Sequence, residues 1–179
     1  MRRDSIKLES LSNFLMKKFI FLCSLVFMTL LGQSQELTTF VLVRHSEKAN
    51  DGTRNPPLNE LGKVRSQNLA DLLNNQQVSA LYATPFKRTE ETLQPLADQT
   101  GLSVQPYEPH AKSDWLLTLL EMHSGGTVVI AGHSNTIPVL ANELLGEATF
   151  SQFDDDDYSN LIIIVTDEIG SGQVLRLSF

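Results

Sequence analysis

Three apolar runs of the chain end on, or are followed within five residues by, a histidine or an arginine. Leu37–Arg44 (LTTFVLVR) closes on Arg44 and is followed by His45. Val78–Ala83 (VSALYA) is followed by Thr84-Pro85-Phe86-Lys87-Arg88-Thr89. Thr127–Ala131 (TVVIA) is followed by Gly132-His133-Ser134. Guanidinium groups present fixed forks of donors that match phosphate oxygens. A neutral imidazole can attack phosphorus, and a second can donate to the group in transit. Phosphoryl transfer asks for positioning and charge neutralisation more than for covalent machinery. Arg44, His45, Arg88 and His133 supply both without a metal or another cofactor. A single histidine at a strand end is more often structural, so the case rests on all four converging.

The intervening sequence predicts how they converge. The apolar runs at 37–44, 78–83 and 127–131 read as buried strands, with a weaker one at 102–105. Between them lie helical patterns. One starts at Asn59, a plausible cap, with Leu61, Val64, Leu69, Leu72 and Leu73 at helical spacing. One runs from Pro85 to Gln99 and stops before Gly101. Others span 113–122 and 135–145, the last ending at Gly146 with Asn135 as a possible cap. Residues 161–165 and 174–177 read as a hairpin around Gly170-Ser171-Gly172. The alternation predicts a single-domain three-layer α/β/α fold, with a mostly parallel sheet and an antiparallel edge hairpin. In such sheets ligands bind outside the carboxyl ends of the strands, where the four residues fall.

The motifs resemble those of the histidine phosphatase superfamily, which includes the cofactor-dependent phosphoglycerate mutases. Leu42-Val43-Arg44-His45-Ser46-Glu47 is similar to its Arg-His-Gly signature, and Pro57-Leu58-Asn59-Glu60-Leu61-Gly62 to the entry of its first helix. Thr84-Pro85-Phe86-Lys87-Arg88-Thr89-Glu90-Glu91-Thr92 resembles its second-arginine motif. Ala131-Gly132-His133-Ser134-Asn135 resembles its second-histidine motif. The resemblance implies that His45 is the nucleophile, that Arg44, Arg88 and His133 hold the phosphate, and that a carboxylate after the third strand donates a proton. Glu108 matches that position best, and Asp114 is the alternative. Ser46 stands where the family has glycine, which adds a side chain to a crowded turn. Ser134, rather than aspartate, follows the second histidine, so the chain resembles the short branch and not the phytase-like one.

Several neighbours carry two readings. Lys48 and Ser134 could contact phosphate, and Glu47-Lys48 is a candidate ion pair. Thr84 reads more naturally as a turn residue than as a donor. Asp154–Asp157 lacks the Gly and distal Glu of a calcium loop and reads as a solvated acidic turn. His110 and His123 read as surface residues, and Trp115 as helix packing.

The N-terminus reads as a leader. Lys17-Lys18 precedes thirteen uncharged residues, Phe19–Leu31, followed by Gly32-Gln33-Ser34. That order predicts a cleaved signal peptide over 1–34, with Met16 as its start and 1–15 upstream of it. The run is too short to span a bilayer, which takes about 20 apolar residues. The expectation is therefore export to the periplasm or beyond, with no stable membrane anchor. Cys23, the only cysteine, lies inside the run, so residues 35–179 hold no disulfide.

The chain has 179 residues with 41% hydrophobic and 20% charged, an ordinary globular composition. Residues 1–34 hold five of its 14 basic and two of its 21 acidic side chains, which leaves a net charge of −10 on 35–179. That field repels nucleic acid and favours a small phosphorylated substrate over a polyanion. Three activities fit: a phosphomonoester hydrolase, a phosphomutase of the same superfamily, and a non-catalytic phosphate-binding module. Only 44 residues separate Arg88 from His133, and a strand and a helix fill most of them. That leaves little room for the lid a mutase needs.

Overall fold

The structure, a computed structural model, describes residues 16–19, 36–110 and 113–179. It divides into two compact units, Met1–Gln35 and Glu36–Phe179. In the first, residues 16–19 are helical. The rest of the expected signal peptide lies outside the described residues.

The second unit runs β1 (Thr38–Arg44), α1 (Glu60–Leu73), β2 (Val78–Ala83), α2 (Lys87–Thr100), β3 (Val104–Pro106), α3 (Ser113–Met122), β4 (Thr127–Gly132), α4 (Ile137–Leu145), β5 (Asn160–Thr166) and β6 (Gln173–Ser178). The six strands form one sheet in the order β3-β2-β4-β1-β5-β6. β3, β2, β4 and β1 are parallel. β5 runs antiparallel to both β1 and β6, so the β5–β6 hairpin closes one edge. This is the predicted three-layer, mostly parallel arrangement.

Two cores follow from the alternation of side chains along the strands. Phe40 and Leu42 of β1 join Tyr82, Val128 and Ile130 on one face, covered by Leu116 and Leu119 of α3 and Leu140 and Leu144 of α4. Val41 and Val43 join Leu81, Val129 and Ala131 on the other, covered by Leu69 and Leu73 of α1 and Leu93 and Leu96 of α2. Each of these Val, Leu, Ile and Phe side chains contributes about 1.5–3 kcal/mol on leaving water. Both faces of β1 and β4 are covered, which is why their sequences are continuous apolar runs rather than alternating ones.

α1 differs from its predicted face. Asn59 does cap it, accepting from the Gly62 N–H at 2.8 Å. Leu61, Val64 and Leu72, however, are exposed, and the buried stripe is Gly62, Ser66, Leu69, Ala70 and Leu73. Small residues line it because neighbours come close. A Cβ at Gly62 would stand 2.2 Å from the Glu47 carbonyl oxygen. Ser66 Oγ reaches the Glu91 and Thr92 carbonyls of α2 at 2.9 and 2.8 Å. Pro95, inside α2, has no N–H for the Glu91 carbonyl, and Ser66 supplies the donor instead.

Smaller shifts occur at element ends. α2 begins at Lys87 rather than Pro85, α4 at Ile137 after Thr136, and β3 is displaced to Val104–Pro106. His123 is not a free surface residue, since its Nε2 lies 3.3 Å from the Tyr82 hydroxyl.

Candidate active site

Strand register assembles the site. Arg44 pairs with Gly132 across β1 and β4, and Ala83 pairs with Ala131 across β2 and β4. The three strands therefore stop level. Immediately beyond, the His45 N–H donates to the Gly132 carbonyl at 2.9 Å, and the Thr84 N–H to the Ala131 carbonyl at 3.3 Å. His45 and His133 consequently face each other, with ring centroids 5.5 Å apart and planes at 69°. Gly132 is required at this point, because a Cβ there would lie 2.6 Å from the Tyr107 hydroxyl.

Each imidazole is oriented. His45 is 4% exposed and its Nδ1 lies 2.8 Å from the Ser46 carbonyl oxygen. A carbonyl only accepts, so Nδ1 carries the proton and Nε2 keeps its lone pair. Ser46 is itself fixed, since its N–H donates to Thr92 Oγ1 at 2.9 Å. Thr92 in turn donates to the Arg88 carbonyl at 2.6 Å. His133 Nε2 lies 2.9 Å from Thr84 Oγ1. The Thr89 hydroxyl is within 2.7 Å of the Thr84 and Phe86 carbonyls, so it donates there and accepts from Thr84 at 3.1 Å. Thr84 then accepts the His133 Nε2–H. Thr84 thus belongs to the site and is more than the turn residue expected.

Both rings are neutral at ordinary pH. Burial lowers His45 to about 3; its bond to Ser46 opposes the shift, and the charges of Arg88 and Arg44 add to it. Burial, then Arg88 and Arg44, lowers His133 to about 4. A neutral imidazole with a free Nε2 is the reactive form for attack on phosphorus.

The two arginines frame the pair. Arg44 is 5% exposed and stacks on Tyr158, its guanidinium carbon 4.1 Å from the ring centroid. Its Nη1 donates to the Asp154 and Asp157 carbonyls at 2.7 and 2.9 Å, and its Nη2 to the Asp155 carbonyl at 2.9 Å. The Nε–H remains, buried and without a partner. With the second Nη2 proton it forms one edge of the guanidinium, the edge that takes a phosphate bidentately. Arg88 opens α2, stands 4.6 Å from the Phe86 centroid, and also has a buried, unpartnered Nε. Burial lowers its pKa, and the charge of Arg44 adds to that. Among the described residues the ion pairs are Lys63–Glu60 and Arg65–Glu47, so neither arginine is held in an ion pair by a carboxylate. Two neighbouring cations with vacant donors make a site for an anion.

The remaining expected residues are placed less closely. Glu108 is exposed on the loop after β3, two residues beyond the Ala83–Pro106 pairing and so on the same carboxyl edge. No hydrogen bond or ion pair joins it to the four. Asp114 is exposed in the first turn of α3. Lys48 is exposed, and its backbone pairs with Leu58. Glu47 does not pair with Lys48; Arg65 holds its carboxylate at 2.8–3.1 Å. The Ser134 carbonyl accepts from the Phe153 N–H at 3.0 Å, which ties in the acidic turn. Ser46 is fully buried with its Oγ unpartnered.

Sequence reasoning missed Tyr158 and the inward role of Asp154–Asp157. That turn is acidic and exposed at Asp154–Asp156, as expected, yet its carbonyls clasp Arg44. Main-chain carbonyls carry no sequence signature, which is why only the side-chain half of the turn was legible.

The arrangement of the sheet and its helices is shared with solved phosphatase structures. The chain has the histidine phosphatase fold. The model of the histidine phosphatase superfamily, branch 1, matches residues 40–109, a span that includes Arg44, His45 and Arg88. Two solved structures share the fold at low identity. The protein histidine phosphatase SixA, complexed with tungstate, has a TM-score of 0.64 at 21% identity, over 78% of this chain and 96% of that one. A mycobacterial glucosyl-3-phosphoglycerate phosphatase has a TM-score of 0.61 at 16% identity, over 80% and 98%. No curated protein matches by sequence. His133 lies beyond the span of the family model, and it is the parallel pairing of β4 with β1 that brings it beside His45.

Proposed function

We propose that the chain is a phosphomonoester hydrolase working through a phosphohistidine on His45. One observation carries this reading. A neutral His45 with its Nε2 unengaged faces His133 at 5.5 Å, beside two arginines whose buried Nε donors have no partner. In the first step Nε2 bonds to phosphorus and the phosphorus–oxygen bond to the alcohol breaks. Arg44 and Arg88 hold the phosphoryl oxygens, His133 lines the site opposite His45, and Glu108 on the rim protonates the departing alkoxide. Water then attacks the phosphohistidine, which releases phosphate and restores His45. The similarity to SixA and to a sugar-phosphoglycerate phosphatase supports hydrolysis, and leaves phosphorylated proteins and small phosphoesters both within the substrate range.

The test is H45A and H45N against a panel of phosphomonoesters, with trapping of labelled phosphohistidine. Loss of turnover and of label, with the fold retained by circular dichroism, is expected. Near-normal rates in either variant would end the proposal. Isomerised substrate without free phosphate would indicate a mutase instead. We further propose export of the chain, on the basis of Lys17-Lys18 and the apolar run after it. The N-terminal residue of the extracytoplasmic protein checks this.

A further inference from the structure

We infer that Tyr158 is a phosphate-binding residue of this site, donating its phenol hydroxyl to an oxygen of the transferring phosphoryl group. The inference rests on the phosphatase reading above and extends it to a residue that no motif marks. Tyr158 touches each side of the site. Its ring lies 4.1 Å beneath the Arg44 guanidinium and 5.9 Å from the His45 ring, tilted at 55°. It also lies within electrostatic range of Arg88. The residue is half-buried, and among the described residues its hydroxyl makes no hydrogen bond.

The placement is built into the chain. Three carbonyls of Asp154, Asp155 and Asp157 close on Arg44, and the Asp157 carboxylate accepts from the Ser159 N–H and Oγ at 3.1 and 2.9 Å and from Asn160 Nδ2 at 2.6 Å. Both flanks of Tyr158 are therefore fixed, so its ring enters the site with little entropy left to lose. A phenol stacked on one guanidinium, within electrostatic range of a second and beside a neutral imidazole, has one natural partner, the anion that those groups surround. It contributes a donor without adding a third positive charge. A hydrogen bond to a charged acceptor is worth about 1.5–3 kcal/mol, which corresponds to about a tenfold or larger effect.

Two variants of the full chain separate this role from packing. Y158F keeps the ring on Arg44 and removes only the hydroxyl, whereas Y158L removes both. The probes are p-nitrophenyl phosphate turnover and inorganic phosphate binding by calorimetry. Y158F is expected to lower kcat/KM and phosphate affinity by about tenfold, with the thermal midpoint unchanged. A Y158F protein equal to wild type in both measurements would overturn the inference, whatever Y158L does, because the ring would then be a platform only. If wild type hydrolyses p-nitrophenyl phosphate while Y158F matches it, this inference alone fails. If wild type neither hydrolyses nor binds phosphate, the phosphatase reading fails with it.

Discussion

The Nδ1 of His45 and the carbonyl of the adjacent Ser46 form a 2.8 Å hydrogen bond, and that contact decides which ring nitrogen meets the substrate. It is anchored through Ser46 N–H to Thr92, on the helix that also carries Arg88. Nucleophile and phosphate clamp are thus set on one rail.

Thr92 tests the rail. In T92V the Ser46 N–H, fully buried, loses its acceptor, at a cost of about 1–3 kcal/mol. The expected result is a lower urea midpoint together with a fall in kcat that exceeds any rise in KM, because the orientation of His45 is disturbed. T92S should restore both. Equal stability of T92V and wild type would dissolve the link.

The histidines predict an acid-sensitive fold. Free imidazole titrates near 6.5, whereas burial holds His45 at about 3 and His133 at about 4. Below pH 6.5 the unfolded chain binds protons that the folded chain refuses. The histidine contribution to stability is therefore complete above pH 6.5 and erodes as pH falls toward 4. Thermal midpoints measured from pH 7 to 4.5 should fall more steeply for wild type than for an H45Q/H133Q variant. Parallel curves would contradict the assignment.

Ser66 stands in for a missing backbone donor. S66A leaves the Glu91 carbonyl without a partner, because Pro95 cannot provide one. A loss of about 1 kcal/mol is expected in chemical denaturation, with little change in activity. S66T should recover part of it only if the extra methyl fits against α2.

Glu108 is separable from the phosphate clamp by its leaving-group dependence. A proton donor matters most for alkoxides and least for nitrophenolate, which leaves unaided. E108Q should cut kcat for an alkyl phosphate by about 100-fold and for p-nitrophenyl phosphate far less. Equal effects on the two substrates would remove Glu108 from that role.

Much of this was legible in the residues. Apolar runs ending in Arg44, Ala83 and Ala131 announced three buried strands whose ends meet, and Asn59 announced its own helix cap. The exposed faces of Leu61, Val64 and Leu72 were not foreseen. The true stripe uses Gly62 and Ser66, chosen for close approach and for a carbonyl partner, and hydrophobicity registers neither. Thr84 looked like a turn residue because hydroxyls at such places usually bond locally, and nothing in the sequence singled out Thr92. Tyr158 stayed hidden since its place depends on where the preceding four residues fold back.

The clasp on Arg44 has a consequence for variation. Its three contacts are peptide oxygens, so the chemistry of the Asp154, Asp155 and Asp156 side chains is uncoupled from the clasp, provided the turn keeps its shape. These three positions can be exchanged for neutral or basic residues while the arginine stays seated.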